Sequence, residues 1–226
     1  MDAKTENSIR QEQLESFGRL MAGFSHDMKN HLGIIRESNG LMDDIIAMGG
    51  CGEDEMSVER VRKSISAIER RVAIAANMFH HLSGFAHRPD TPRSSFQIND
   101  LVTEEYIFLE RFSRLRQIDV TLKPGEGLAT VYNDPALLQH VVYRVYILCL
   151  DQLDSGDSLI IITEQDENNI EITFRLIGAS QVSLEHLSDN HLLPAVNKLE
   201  GTLKMGVAKE EHTDITLTIP SLPVAE

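Results

Sequence analysis

The segment FSHDMKNHLGII, residues 24–35, contains two histidines within a run of good helix formers. A neutral imidazole is a competent nucleophile near neutral pH, and an acceptor that holds one ring nitrogen leaves the other for the reaction. Which histidine can react depends on which one faces solvent. The apolar residues around the two histidines indicate how each is oriented.

Apolar residues from Leu14 onward follow a heptad repeat with spacings of three and four. Such a repeat is typical of a helix packed in a bundle or a coiled coil. His31 occupies a position in the apolar seam and is predicted to face inward. His26 falls on the opposite, exposed face and is therefore the candidate nucleophile.

Three neighbours of His26 complete the candidate site. Asp27 is the nearest acceptor for one ring nitrogen, and its carboxylate would orient the ring and stabilise positive charge on it. Lys29 and Asn30 lie one helical turn further on the same side. The ammonium group could offset charge on a transferring phosphoryl group, and the amide could hold a water or a phosphoryl oxygen. A lone exposed histidine is more often simply solvated, so both interpretations stay open on this pattern alone.

The elements that carry these side chains are predicted to form a helical hairpin over residues 1–90. The first helix runs from about residue 8 to residue 47, where MGGCGEDEM interrupts the pattern. A second heptad pattern follows Ser57, a plausible N-cap, and ends at GFAHRPDTPRSS. A two-helix hairpin cannot bury a wide apolar stripe by itself. We therefore predict a homodimer whose two hairpins form a four-helix bundle.

Residues 94–226 follow a different pattern, in which a helix and two strands occur three times in succession. This order predicts an α/β sandwich with helices on one face of a mixed sheet. Asn99 or Asp100 is the predicted N-cap of the first helix, and Asp134 followed by Pro135 opens the second. The third helix is predicted within SLEHLSDNHLLPAVNKLE. The fold class of the whole chain is therefore α + α/β.

Composition argues against several classes of function. The net charge of −14 argues against a nucleic-acid partner, because a phosphate backbone needs a concentrated positive surface. No apolar run approaches the roughly 20 residues that cross a bilayer, and the polar N-terminus has no signal-peptide core. Cys51 and Cys149 lie in unlike contexts, which argues against a disulfide or a zinc site. We expect a cytoplasmic protein with protein partners and no membrane association.

The segment SHDMKN followed by HLGII resembles the phosphoacceptor box of bacterial sensor histidine kinases. In that family the box lies early in the first helix of a dimeric hairpin. The resemblance implies that His26 is the phosphoacceptor, Asp27 its acid/base partner, and Asn30 a residue that in some members positions water for dephosphorylating a partner. The family usually has proline where this chain has His31, so a straighter helix is expected here.

The second half is similar to the ATP-binding domain of the same kinases in its order of helices and strands, but it lacks their nucleotide motifs. The helix from Pro135 to Leu153 aligns with the helix that carries asparagines for magnesium and phosphate binding, yet it contains no Asn. Tyr143 and Ile147 fall near those places. GASQVS replaces the motif that reads adenine, and the glycine-rich lid is missing. Without these groups self-phosphorylation from ATP should fail.

This combination resembles the dimeric histidine phosphotransferases of multistep phosphorelays, which join a kinase-like hairpin to a degenerate ATPase-like domain. The resemblance implies a bacterial two-component signal-transduction phosphoprotein, a pseudokinase that passes a phosphoryl group between receiver-domain aspartates through His26. Its partners would be response-regulator receiver domains and a hybrid histidine kinase. It implies no cofactor bound by this chain, with Mg²⁺ supplied by the receiver.

Two other functions remain open from the sequence. One is a catalytically inactive kinase-like module that binds receivers or kinases and leaves His26 unused. The other is a receiver phosphatase that uses Asn30. Replacing His26 with Ala should abolish phosphotransfer and leave binding intact. Replacing Asn30 with Ala should instead abolish a phosphatase activity that depends on Asn30.

Overall fold

The computed structural model describes residues 2–48, 55–88, 92–179, 192–208 and 212–222. The chain divides into two compact units. One is Met21–Gly84, and the other joins Met1–Leu20 to Phe85–Glu226. The predicted domain ranges of 1–90 and 94–226 stay a prediction.

Two long helices, α1 (Ala3–Ala47) and α2 (Glu55–His87), account for the unit Met21–Gly84. Helix α1 continues without interruption through His31, as expected where a proline is absent. Helix α2 begins at Glu55, so Ser57 lies inside the helix and the prediction that it is the N-cap was wrong. Glu55 in the first turn is favourable there because a carboxylate interacts with the positive end of the helix dipole.

Within the described residues, the other unit contains a five-stranded mixed sheet, three further helices and the first part of α1. Its elements are β1 (Ser94–Phe96), α3 (Ile98–Arg116), β2 (Asp119–Lys123), β3 (Val131–Asn133), α4 (Pro135–Asp151), β4 (Ser158–Asp166), β5 (Asn169–Ile177), α5 (Leu192–Lys198), β6 (Thr202–Ala208) and β7 (His212–Pro220). The sheet order is β2-β4-β5-β7-β6, in which only the β2–β4 pairing is parallel, and β1 pairs with β3 separately. The predicted α + α/β class with a mixed sheet is confirmed.

Alternation of apolar and polar residues explains why the helices cover one face of the sheet. Every second residue is buried along β5 and β7 and over residues 158–163 of β4, as at Leu159, Phe174 and Leu217. The residues between them face the other way and form polar cross-strand pairs. Among these, Arg175 donates two hydrogen bonds to Asp214, at 2.9 and 2.8 Å. One face is therefore a core and the other is solvated.

The start of α4 follows the sequence prediction. Asp134 is the N-cap, and its carboxylate oxygen accepts a hydrogen bond from the backbone N–H of Leu137 at 2.9 Å. Pro135 occupies the first helical position, where its missing N–H costs nothing. Helix α4 is fixed at this end by its own sequence.

The start of α3 differs from the prediction. The helix begins at Ile98, and its N-cap is Gln97, whose side chain makes no capping hydrogen bond. Neither Asn99 nor Asp100 is therefore the cap. Asn99 instead donates a hydrogen bond of 2.8 Å to the backbone oxygen of Gly125, in the connection between β2 and β3. The Asn99 side chain therefore makes a tertiary contact instead of capping the helix.

Helix α5 begins at Leu192, with Pro194 in its first turn. The preceding part of the predicted helix, and most of GASQVS, lie outside the described residues. No helix within the described residues combines the length and apolarity needed to cross a bilayer.

Candidate functional site

Helix α1 places His26 on its exposed side. The His26 side chain is 54% exposed, whereas the flanking Phe24 and Met28 are buried. Phe24 packs edge to face on Phe79 of α2, with ring centroids 5.3 Å apart. The two buried side chains fix the backbone beneath His26, so the imidazole is presented on a rigid helix.

Asp27 and Asn30 both contact the same nitrogen of the His26 ring. The distance from Nδ1 of His26 is 3.3 Å to Oδ1 of Asp27 and 3.2 Å to Nδ2 of Asn30. Adjacent residues on a helix diverge by about 100°, so the first contact requires suitable rotamers, which the structure contains. The structure thus brings together three of the four predicted site residues.

The carboxylate decides which ring nitrogen carries the hydrogen. An ionised carboxylate can only accept a hydrogen bond, so the contact with Asp27 places the hydrogen of a neutral His26 on Nδ1. Nε2 then carries the lone pair. The Asn30 amide can be turned by 180° so that its oxygen and nitrogen exchange places. With the oxygen towards the ring, Asn30 accepts a hydrogen bond from the same Nδ1–H. This arrangement prepares Nε2 for attack on an electrophile.

Burial of Asp27 strengthens its contact with His26. The side chain of Asp27 is only 20% exposed, so water screens its charge less than it would screen that of a freely exposed carboxylate. Positive charge that develops on the ring during a reaction at Nε2 is therefore stabilised from the Nδ1 side.

Lys29 and His31 occupy different surroundings. Lys29 is exposed, whereas Asp27 and Asn30 both contact the His26 ring. The role of Lys29 stays a prediction. His31 is partly buried, and its Nδ1 has no hydrogen-bond partner among the described residues. His31 is therefore less accessible to a partner than His26.

Helix α4 resembles the helix that carries the magnesium-binding asparagines of the kinases. At the two positions compared, residues 143 and 147, it has no carboxylate or amide side chain that could bind Mg²⁺. Tyr143 is buried and packs against Phe112, with ring centroids 6.2 Å apart, and Ile147 is partly buried. The neighbouring Arg144 forms an ion pair with Glu12 of α1. A phenol, an aliphatic side chain and a guanidinium do not suit Mg²⁺, which prefers carboxylate and amide oxygens. The described residues contain no group of three or more His, Cys, Asp or Glu that could hold a metal ion.

Sequence reasoning missed a second polar cluster, in the unit that contains the sheet. Ser16 Oγ of α1 lies 3.1 Å from Nδ1 of the buried His140 on α4, and burial lowers the pKa of His140 to about 4. Glu105 on α3 is fully buried. The residues come from distant parts of the chain, and no spacing in the sequence connects them.

Gly33 lies two turns after His26 on α1, and an added Cβ there would meet no atom within 4 Å. We expect Gly33→Ala to raise the free energy of unfolding by about 0.5–1 kcal/mol, because alanine loses less backbone entropy in a helix. Urea denaturation measures this. Gly40→Ala is the matched control, since its Cβ would also meet open space. A decrease in stability at Gly33 alone would contradict the expectation.

The mixed sheet with helices on one face is similar to the fold of the ATPase-like catalytic domains of histidine kinases. The catalytic domain of the histidine kinase ThkA, in a nucleotide-free form, aligns with a TM-score of 0.51 and 14% identity over 59% of this chain and 100% of that domain. The Acinetobacter baumannii histidine kinase AdeS aligns with a TM-score of 0.49 and 14% identity, over 87% of this chain and 98% of that one.

A structure of ThkA in complex with the response regulator TrrA aligns with a TM-score of 0.48 and 15% identity, over 98% of this chain and 68% of that chain. No protein-family model and no curated protein matches the sequence. Identities this low show the fold alone. What the chain does must therefore be argued from its own residues.

Proposed function

We propose that this chain is a histidine phosphotransferase of a two-component phosphorelay, which carries a phosphoryl group between receiver-domain aspartates on His26. The observation that supports this most is the His26–Asp27 contact. It combines an exposed imidazole with a carboxylate that holds Nδ1 at 3.3 Å. Nothing in the reaction requires a nucleotide, because both donor and acceptor are aspartates of partner proteins.

The transfer step follows from this geometry. The Nε2 lone pair of His26 attacks the phosphorus of a receiver's aspartyl phosphate, the N–P bond forms, the P–O bond breaks, and the aspartate carboxylate leaves. The hydrogen on Nδ1 stays in place, and Asp27 stabilises the positive charge that the ring acquires. Lys29 and Asn30 offer N–H donors to the phosphoryl oxygens. Mg²⁺ held by the receiver would neutralise charge at the aspartate. Transfer to the next receiver is the reverse step.

The surroundings of α4 support a phosphoryl donor other than ATP. Tyr143, Arg144 and Ile147 provide no carboxylate or amide where magnesium ligands would be needed. We propose that phosphate arrives from a receiver, including the receiver of a hybrid histidine kinase.

We also propose that the chain functions as a homodimer. A heptad row of α2 is between 45% and 53% exposed in the single chain, although its spacing is that of a packed seam; it consists of Val58, Ile65, Val72 and Phe79. A second copy would bury this row, whereas a monomer leaves it in water. The four-helix bundle of two hairpins is the arrangement that suits this spacing.

Val72→Asp is expected to raise the dimer dissociation constant by at least about 100-fold, because the dimer would bury an unpaired carboxylate. Sedimentation equilibrium measures this. Ala73→Asp places the same charge on an exposed neighbouring position outside the row and should leave the constant unchanged. A wild-type protein that stays monomeric at high concentration, or equal effects of the two variants, would refute dimerisation through this row.

The proposed function is tested with a panel of phosphorylated receiver domains from the same organism. Label that moves from a receiver to the chain supports the phosphotransferase. Label that arrives from ATP alone overturns the inference drawn from α4. Receivers that bind without losing phosphate indicate the inactive binding module.

A receiver phosphatase is the second candidate, because the exposed Asn30 amide lies 3.2 Å from the His26 ring and can hold a water beside it. In that case receivers lose phosphate without labelling the chain. Asn30→Ala stops this loss if the phosphatase operates. If the phosphotransferase operates, label still reaches His26 in this variant, but more slowly, because one N–H donor to the phosphoryl oxygens is lost.

A further inference from the structure

A cavity of about 470 Å³ lies in the unit that contains the sheet, among the first turns of α1, the end of α2, α3 and the start of α4. This volume is within the range of small-molecule sites. Its walls are mainly apolar and include Leu14, Phe17, Leu20, Phe85, Ala136 and Tyr143. Phe17 stacks on Phe85 with ring centroids 5.6 Å apart, so a stacked aromatic pair forms part of the wall.

Glu105 is one of several polar residues that line the cavity. It lines the cavity, is 0% exposed, and neither carboxylate oxygen has a hydrogen-bond partner among the described residues. Buried polar groups are nearly always hydrogen-bonded, because an unpaired one loses its hydration without compensation. Burial also raises the pKa of Glu105 well above its ordinary value and so favours the neutral carboxyl group in the empty cavity. A ligand with N–H donors would supply the missing partners.

Other charges near the cavity already have partners. Arg88, whose charge acts on Glu105, donates to Gln139 at 2.7 Å and forms an ion pair with Glu104. Arg10, also on the wall, forms an ion pair with Glu6 at 2.9 Å. The pKa of His140 is lowered to about 4, which leaves its ring neutral and unable to act as a counter-ion for Glu105. The carboxyl group of Glu105 is thus the group on the cavity wall that is left without a hydrogen-bond partner among the described residues.

We propose that this cavity, called here the Glu105 cavity, binds a small organic cation with an apolar body, such as an arylalkyl ammonium ion. The apolar body packs against the aromatic and aliphatic walls, and the N–H groups donate to Glu105. Glu105 gives up its proton to solvent as the ammonium ion binds, so a neutral carboxyl group becomes a carboxylate with a charge-assisted hydrogen bond. An anion of the same shape would meet the Asp134 carboxylate on the same wall and would offer no N–H group to Glu105, so it should bind more weakly.

Isothermal titration calorimetry with 2-phenylethylammonium chloride tests this at neutral pH, in two buffers of different ionisation enthalpy. The expected result is saturable binding at one site with release of protons. The neutral 2-phenylethanol and the anionic 3-phenylpropanoate share the same apolar body and should bind at least about tenfold more weakly. Equal affinity for the three probes, or no saturable binding to the folded wild-type chain, overturns the proposal.

Two variants locate the site. Glu105→Gln should weaken 2-phenylethylammonium binding at least about tenfold, abolish proton release and leave 2-phenylethanol unaffected. Glu110→Gln is the matched control, since Glu110 is exposed on the same helix, and should bind as the wild type does. Ala136→Leu fills part of the cavity and should weaken the binding of all three probes, which keeps the proposal testable if Glu105→Gln fails to fold. Unchanged ammonium binding in folded Glu105→Gln refutes the role of Glu105.

The inference is independent of phosphotransfer. His26 does not line the cavity, so His26→Ala should bind 2-phenylethylammonium as the wild type does. Loss of ammonium binding in the folded His26→Ala protein would contradict this assignment of the site.

Discussion

His26→Ala is expected to lower phosphoryl transfer from a phosphorylated receiver by at least about 10³-fold, because the substitution removes the proposed nucleophile. The change should not unfold the hairpin. The His26 side chain is 54% exposed, so truncation opens no cavity in a core. Alanine is also a better helix former than histidine. Radiolabel retained on the chain after rapid mixing with a labelled receiver measures the effect, with circular dichroism as the check on folding.

His80→Ala is the matched control for this experiment. His80 is also an exposed histidine on a long helix of the hairpin, but it lies on α2. Its replacement should leave transfer unchanged. If His26→Ala retains label and another histidine variant loses it, the phosphoacceptor has been misassigned. If both variants lose label, the substitutions perturb the hairpin rather than the chemistry.

Periodic patterns that persist over several turns explain how much of the fold the sequence predicted. In the heptads of α1 and α2 and in the alternation of β4 and β5, apolar residues recur on the same face of the element. The period of this recurrence indicates whether the element is a helix or a strand. The start of α4 was predictable for a different reason. Asp134 and Pro135 act within a single turn and need no distant residue.

Tertiary contacts account for the predictions that failed or could not be made. Asn99 is of a residue type that often caps helices, but its side chain donates a hydrogen bond to Gly125 and does not cap α3. The heptad pattern of α1 showed which side is apolar without showing what covers it. The structure groups its first part, Met1–Leu20, with the sheet, where Ser16 contacts His140 and Glu12 pairs with Arg144.

The candidate site was predictable in composition but not in its hydrogen bonding. Amphipathicity placed His26 outward, and the adjacent Asp27 was the nearest acceptor. The sequence could not show that Asp27 and Asn30 converge on the same ring nitrogen, since that depends on rotamers. The Glu105 cavity left no signal in the sequence, because its walls come from four helices and its carboxylic acid resembles any other on an amphipathic helix.

Asp27→Asn is expected to lower the transfer rate by about 10²- to 10⁴-fold while His26 remains the residue that is labelled. The substitution keeps the size of the side chain but replaces an acceptor with a group that can donate to Nδ1. A donor at Nδ1 favours the tautomer with hydrogen on Nε2, which is the nitrogen that must attack. The charge that stabilises the developing cation is also lost. Rapid-quench measurement of the transfer rate from a saturating labelled receiver measures the combined effect.

Asp43→Asn separates this role from a general effect of charge. Asp43 is exposed on α1, so its replacement changes the net charge of the hairpin by the same amount without touching His26. If Asp27 acts through the ring, only Asp27→Asn slows transfer, and receiver affinity in the two variants stays similar. If the two variants slow transfer equally, the carboxylates act through receiver attraction. In that case the 3.3 Å contact between Asp27 and His26 has no part in selecting the reactive nitrogen.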